Sequence, residues 1–119
     1  MKIVHIGLIV SDIEMAARFY ERVLGLHRIE RPDLGFEGIW YGLEDGQQIH
    51  LMLLDNPYAD CLLPEHGGRD RHIAMAVNNL DVIRDRLDAE GIIYTLSRSG
   101  RVALFCRDPD NNTLELIQQ

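Results

Sequence analysis

The chain has 119 residues, 46% of them hydrophobic, and 12 Lys+Arg against 19 Asp+Glu give it a formal charge of -7. A soluble globular chain of that size can bury about two thirds of its unfolded surface and needs neither disulfide nor structural metal to hold a core. The lone Lys2 and the arginines stand singly among acids, which excludes a nucleic-acid stripe; no apolar run reaches the roughly 20 residues that span a bilayer; and Cys61 and Cys106, without a CxxC spacing, fit a reduced cytoplasmic protein.

In chain order, Ile3 to Val10 is β-branched and aliphatic and reads as a largely buried strand, interrupted by His5. Ser11-Asp12-Ile13-Glu14 has the form of a capping box, and Ile13, Ala16, Ala17, Tyr20, Val23 and Leu24 follow at helical spacing to a stop at Gly25. Three short strands are predicted next, Leu26 to Glu30, Gly38 to Leu43 and Gln48 to Leu54, the last two joined at the turn Glu44-Asp45-Gly46. Residues 55–70, with Pro57, Pro64 and Gly67-Gly68, have no periodicity and read as a connector and mobile lid. The same signals then return. Ile73 to Val77 is a strand, Asn79 is an N-cap, Leu80, Ile83 and Leu87 form a helical stripe, and Gly91 ends it. Ile92 to Leu96, Arg101 to Arg107 and Thr113 to Gln118 complete the set, with the turn Asp108 to Asn112 between the last two.

The architecture expected is α+β: βαβββ twice in a single domain, as module 1 (1–54), connector (55–70) and module 2 (71–119). The two modules align as an internal repeat. His5 to Ile13 lies over His72 to Leu80 with an offset of 67, and Trp40 to Met52 lies over Phe105 to Ile117 with an offset of 65. Four metal-ligating residue types thereby fall at two equivalent places: His5 and His72 in the first strands, His50 and Glu115 in the last. His50 sits between Ile49 and Leu51, and Glu115 between Leu114 and Leu116, so alternation sends both to the face opposite the aliphatics. An ionised Glu on an apolar strand needs a partner, and a divalent cation is an effective one. Any one strand histidine is more often a surface or hydrogen-bonded core residue than a ligand; the coincidence of three histidines and a carboxylate at repeat-equivalent positions is what carries weight. His27 and His66 lie outside that pattern and read as surface residues, Met52 and Met75 as packing.

The doubled βαβββ pattern, the opening His5-Ile6-Gly7-Leu8-Ile9-Val10-Ser11-Asp12, the stretch Phe19 to Leu26 and the ending Arg107 to Leu116 resemble the vicinal oxygen chelate superfamily of glyoxalase I, fosfomycin resistance enzymes, extradiol dioxygenases, methylmalonyl-CoA epimerase and bleomycin resistance proteins. The resemblance covers essentially the whole chain. It implies an open, cup-shaped barrel built from the two modules around one divalent metal ion (Zn, Ni, Co, Mn or Fe). His5, His50, His72 and Glu115 would be the ligands, with a homodimer placing the sites at the subunit interface. Among its activities it implies a glyoxalase I-like lyase or isomerase: a small-molecule substrate is chelated through neighbouring oxygens and Glu115 shuttles a proton. His50 departs from the bacterial glyoxalase I pattern, where a glutamate stands, which puts lactoylglutathione lyase activity itself in doubt.

Two alternatives remain open at this point. His5, His72 and Glu115 alone make a facial triad suited to a non-haem Fe(II) extradiol-type dioxygenase, and a non-catalytic, bleomycin-resistance-like binding protein has the same fold. For substrate contact, Trp40 and Phe105 are repeat-equivalent and predicted to face the pocket while Tyr41 faces the core. Arg98 and Arg101, in the loop Ser97 to Arg101, are placed to hold a carboxylate or phosphate, or else are a solvated turn; Phe36 is a further specificity candidate.

Overall fold

A computed structural model describes all of residues 1–119 and divides them into two units, Met1–Ala59 and Asp60–Gln119. In the first, strand β1 (His5–Val10) is followed by a helix, α1 (Ile13–Ala17), that widens into a π-helical segment over Arg18–Val23, then by β2 (His27–Ile29), β3 (Gly38–Gly42) and β4 (Gln48–Leu53). In the second, β5 (His72–Val77), α2 (Leu80–Ala89), β6 (Tyr94–Leu96), β7 (Ala103–Arg107) and β8 (Thr113–Gln118) repeat the order, preceded by a short 3-10 turn at Gly67–Arg69. The sheet orders are β1-β4-β3-β2 and β5-β8-β7-β6, with the first pair of each parallel and the rest antiparallel. No helix is long and apolar enough to cross a membrane.

Registers of the two sheets reproduce the repeat. Gly7 pairs with His50 and Trp40 with His50; Ala74 pairs with Glu115 and Phe105 with Glu115. Alternation then sorts the side chains. On one face of the first sheet Val10, Ile39, Tyr41, Ile49 and Leu51 are buried beneath Ala16, Phe19, Tyr20 and Val23; on one face of the second Leu104, Cys106, Leu114 and Leu116 are buried beneath Leu80, Ile83 and Leu87. His5, Trp40 and His50 share the other face of the first sheet, and His72, Phe105 and Glu115 that of the second.

Local chemistry explains the helices, with two departures from the sequence reading. Asn79 caps α2 as expected, accepting from Val82 N at 3.2 Å. The cap of α1, however, is Asp12 rather than Ser11: its carboxylate accepts from Met15 N at 2.9 Å, and with Met15 rather than a Glu at the third helical position the cap is a single bond and not a box. Regular α-helix also ends at Ala17. The π-helical turn closes through Leu24 N to Phe19 O at 3.1 Å and brings Phe19, Tyr20 and Val23 together onto the core before Gly25, at φ 76, stops it. Tyr41 is fully buried and spends its hydroxyl on Glu21, donating to Oε1 at 3.1 Å, while Arg28 donates to the same oxygen.

The connector divides between the units at residues 59 and 60, and its second part is no free lid. Arg107 donates to Pro64 O at 2.8 Å, to Asp70 Oδ2 at 2.7 Å and to Thr113 Oγ1, strapping residues 64–70 onto β7 and β8. A Cβ on Gly67 would meet Thr113 Cγ2 at 2.7 Å, so only glycine lets the 3-10 turn lie this close to the sheet.

Candidate functional site

The four predicted ligands come together as two pairs, one on each sheet. On the first, the imidazoles of His5 and His50 stack at 4.1 Å, and the indole of Trp40 stacks on the far side of His50 at 4.0 Å with 3° between the planes. His50 is thus the middle of a three-ring column. Trp40 and His50 are directly opposed in the register and His5 is diagonal to His50, the separations at which cross-strand aromatic side chains meet. His50 Nε2 lies 2.7 Å from Gln48 Oε1; an amide oxygen only accepts, so Nε2 carries the hydrogen and Nδ1 the lone pair. Burial, then the neighbouring His5 and Arg31, hold the His50 imidazole below its ordinary pKa and favour the neutral ring.

The equivalent positions of the second sheet carry charge instead. Glu115 is 4% exposed, flanked along β8 by the buried Leu114 and Leu116 and opposed by Phe105. Its Oε2 lies 3.5 Å from His72 Nε2, and its Oε1 lies 3.4 Å from Arg101 Nη2. His72 Nδ1 is 2.8 Å from the carbonyl of Asp70, which only accepts, so the neutral ring holds its proton on Nδ1 and turns the Nε2 lone pair toward the carboxylate. Two lone-pair donors at 3.5 Å are satisfied by a proton or a cation between them, and a histidine whose other nitrogen is anchored to a carbonyl is a pre-oriented metal ligand. A carboxylate and an anchored histidine so placed have the chemistry to share a divalent ion, although the chain gathers no group of three His, Cys, Asp or Glu side chains able to hold one.

The remaining candidates separate. Phe105 is 8% exposed and meets His72 edge-on at 5.3 Å; Trp40 shares its column with His50 while Tyr41 is core, as parity required. Of the loop arginines, Arg101 reaches Glu115 and Arg98 stays exposed away from it. His66 is not the plain surface residue its sequence context implied: its ring packs on Phe105 at 5.2 Å, Nδ1 accepts from Gly68 N at 3.0 Å, and Nε2 is buried without a partner. Arg31 also escaped sequence reading, because it stands in the loop after β2, where alternation assigns no face. Cys106 is buried, which pushes its thiol up to about 12 and makes it a packing group rather than a nucleophile.

Comparison with known proteins accounts for the doubled architecture. The profile of the Glyoxalase/Bleomycin resistance protein/Dioxygenase superfamily matches residues 2–116. The chain belongs to that superfamily. Among curated relatives, Glyoxylase I 4 of Arabidopsis thaliana is 30% identical over 118 residues, covering 94% of this chain and 67% of the relative. Lactoylglutathione lyase of Haemophilus influenzae is 29% identical over 127 residues, covering 99% and 93%. A glyoxylase/bleomycin resistance protein/dioxygenase domain from Frankia sp. EAN1pec superposes with a TM-score of 0.75 at 24% identity, covering 99% of this chain and 97% of that one, and shares the fold.

Proposed function

We propose that this superfamily member is a metal-dependent enzyme of the glyoxalase I type, transferring a proton between adjacent carbons of a small substrate chelated through neighbouring oxygens. The observation that carries the reading is the buried Glu115 carboxylate facing Nε2 of a His72 whose Nδ1 is anchored to the Asp70 carbonyl. In the proposed assembly, a cytoplasmic homodimer, His5 and His50 of one chain complete the ligand set with His72 and Glu115 of the partner subunit. A divalent ion held there supplies a Lewis acid for the substrate's oxygens.

The chain's own residues do the rest. Glu115 takes the proton from the carbon beside the carbonyl and returns it to the neighbouring carbon. Arg101 holds the second carboxylate oxygen and keeps it oriented. Because His50 stands where a second carboxylate would, Glu115 is the single base in the set and acts in both directions. Phe105 and Trp40 give the site apolar walls that limit water.

The test is a panel of 2-oxo and 2-hydroxy carbonyl compounds incubated in D2O with metal-loaded protein. Deuterium at the carbon beside the carbonyl without oxygen consumption supports proton transfer; oxygen uptake with ring or carbon–carbon cleavage replaces it with the dioxygenase reading. A second reading, a binding protein without turnover, is favoured by one fact: His50 and Glu115 already hold protein partners in Gln48 and Arg101. It predicts tight ligand binding with neither exchange nor uptake.

A further inference from the structure

Beside the ring column of the first sheet stands a cation with no anion. Arg31 lies two residues beyond the end of β2, and its guanidinium sits against Gly38, which shares the parity of Trp40 along β3, on the face that carries His5, Trp40 and His50. The guanidinium is seated over Gly38, where an added Cβ would come within 2.9 Å of its Nε, and it stacks on the ring of Phe36 with its carbon 5.0 Å from the centroid. One Nη2 hydrogen goes to Phe36 O at 2.9 Å. Its Nε is buried and has no hydrogen-bond partner. With Nε closed off against Gly38, a guanidinium fixed by an aromatic ring and a carbonyl has its Nη1/Nη2 end left to meet a carboxylate.

Nothing in module 1 supplies that carboxylate. The four strands contain no acidic residue, Asp33 turns its carboxylate to Gly35 N at 2.9 Å, and Glu30 and Glu37 are exposed without an ion pair to Arg31. Arg31 is near enough to act electrostatically on His50, the central ring of the column. A flat apolar surface, Trp40 on His50, thus lies beside an oriented cation.

We propose that this face is a subsite for an aromatic or other planar carboxylate, with Arg31 reading the carboxylate and Trp40 the planar body, so that the enzyme's substrate carries an anionic group besides its chelating oxygens. As a statement about the substrate it rests on the function proposed above; as a binding site it stands in module 1 alone.

The chain's one tryptophan is Trp40, so intrinsic fluorescence reports on this surface without a label. Metal-free protein is titrated with benzoate and with its neutral isostere benzamide, alongside Arg31→Gln and Arg31→Lys, each checked for an unchanged melting profile. The expected result is a saturable response with at least fivefold preference for benzoate, abolished in Arg31→Gln and partly restored in Arg31→Lys. Since Arg31 also closes a loop through Phe36, the Lys variant keeps the test valid should the Gln variant fold poorly. Equal affinity for the two probes, no saturable response to either, or a benzoate preference undiminished in Arg31→Gln overturns the proposal. Metal binding is measured in parallel on the unsubstituted protein, with Glu115→Gln as the metal-deficient control: benzoate preference with no metal binding by the unsubstituted protein sinks the metal reading alone, and metal binding without benzoate preference sinks this subsite alone.

Discussion

The two modules place the same backbone under different chemistry. At equivalent register positions the first carries a His5–His50–Trp40 column of stacked rings, and the second a buried Glu115 held between His72, Arg101 and Phe105. A turn shows the same divergence: Gly46 takes positive φ at 78°, and its counterpart Asn111 takes φ 64°, where Asp108 Oδ1 accepts from Asp110 N and Asn112 N at 2.9 Å each. The repeat therefore preserves where a side chain points and leaves free what it is. One module is built to stack and to attract an anion, the other to present an anion of its own.

The comparison is sharpened first in the core, where the modules should behave alike. Leu51 and Leu116 are equivalent and fully buried; Leu51→Ala and Leu116→Ala should each cost about 3 kcal/mol in urea-unfolding midpoints, similar within about 1 kcal/mol. Next comes a strap that only the second module has. Arg107 stands where the first module has Gly42, and Arg107→Ala should cost about 2 kcal/mol and raise hydrogen exchange at residues 64–70, because it frees the Asp70 carboxylate and the Pro64 carbonyl together. The helix caps should again match: Asp12→Ala and Asn79→Ala each cost about 1 kcal/mol.

The smallest effect belongs to the first module. His50 has its pKa lowered in the folded chain, so below the ordinary imidazole value near 6.5 the unfolded state binds the extra proton. Its contribution is present above that pH and is lost as pH falls toward the folded pKa. Unfolding free energies at pH 7.5 and 5.5 should show a small decline that His50→Gln reduces.

Much of this was legible because period-2 alternation and an internal repeat constrain one another. His50 and Glu115 each lie between two aliphatics, so their face followed from parity, and the offset between Trp40 and Phe105 reappears as the register of β3 on β4 and β7 on β8. What stayed hidden depends on three-dimensional detail. The π-helical widening after Ala17 answers to packing of Phe19, Tyr20 and Val23 on the sheet, which helical spacing alone does not encode. The strap joins Asp70 to Arg107 across 37 positions with no local signal. His66 reads from sequence as a surface residue and Arg31 carries no sequence signal; a buried nitrogen without a partner marks both.

The central claim is that the histidines and the carboxylate together hold a divalent ion. It is tested most directly by measuring metal content and metal-dependent thermal stabilisation of the purified protein beside Glu115→Gln. The account predicts near-stoichiometric metal and a rise in melting temperature with added Ni, Zn, Co, Mn or Fe, corresponding to about 2.7 kcal/mol at a hundredfold excess over Kd, and loss of both in the variant. No bound metal and no shift under any of the five ions would contradict it.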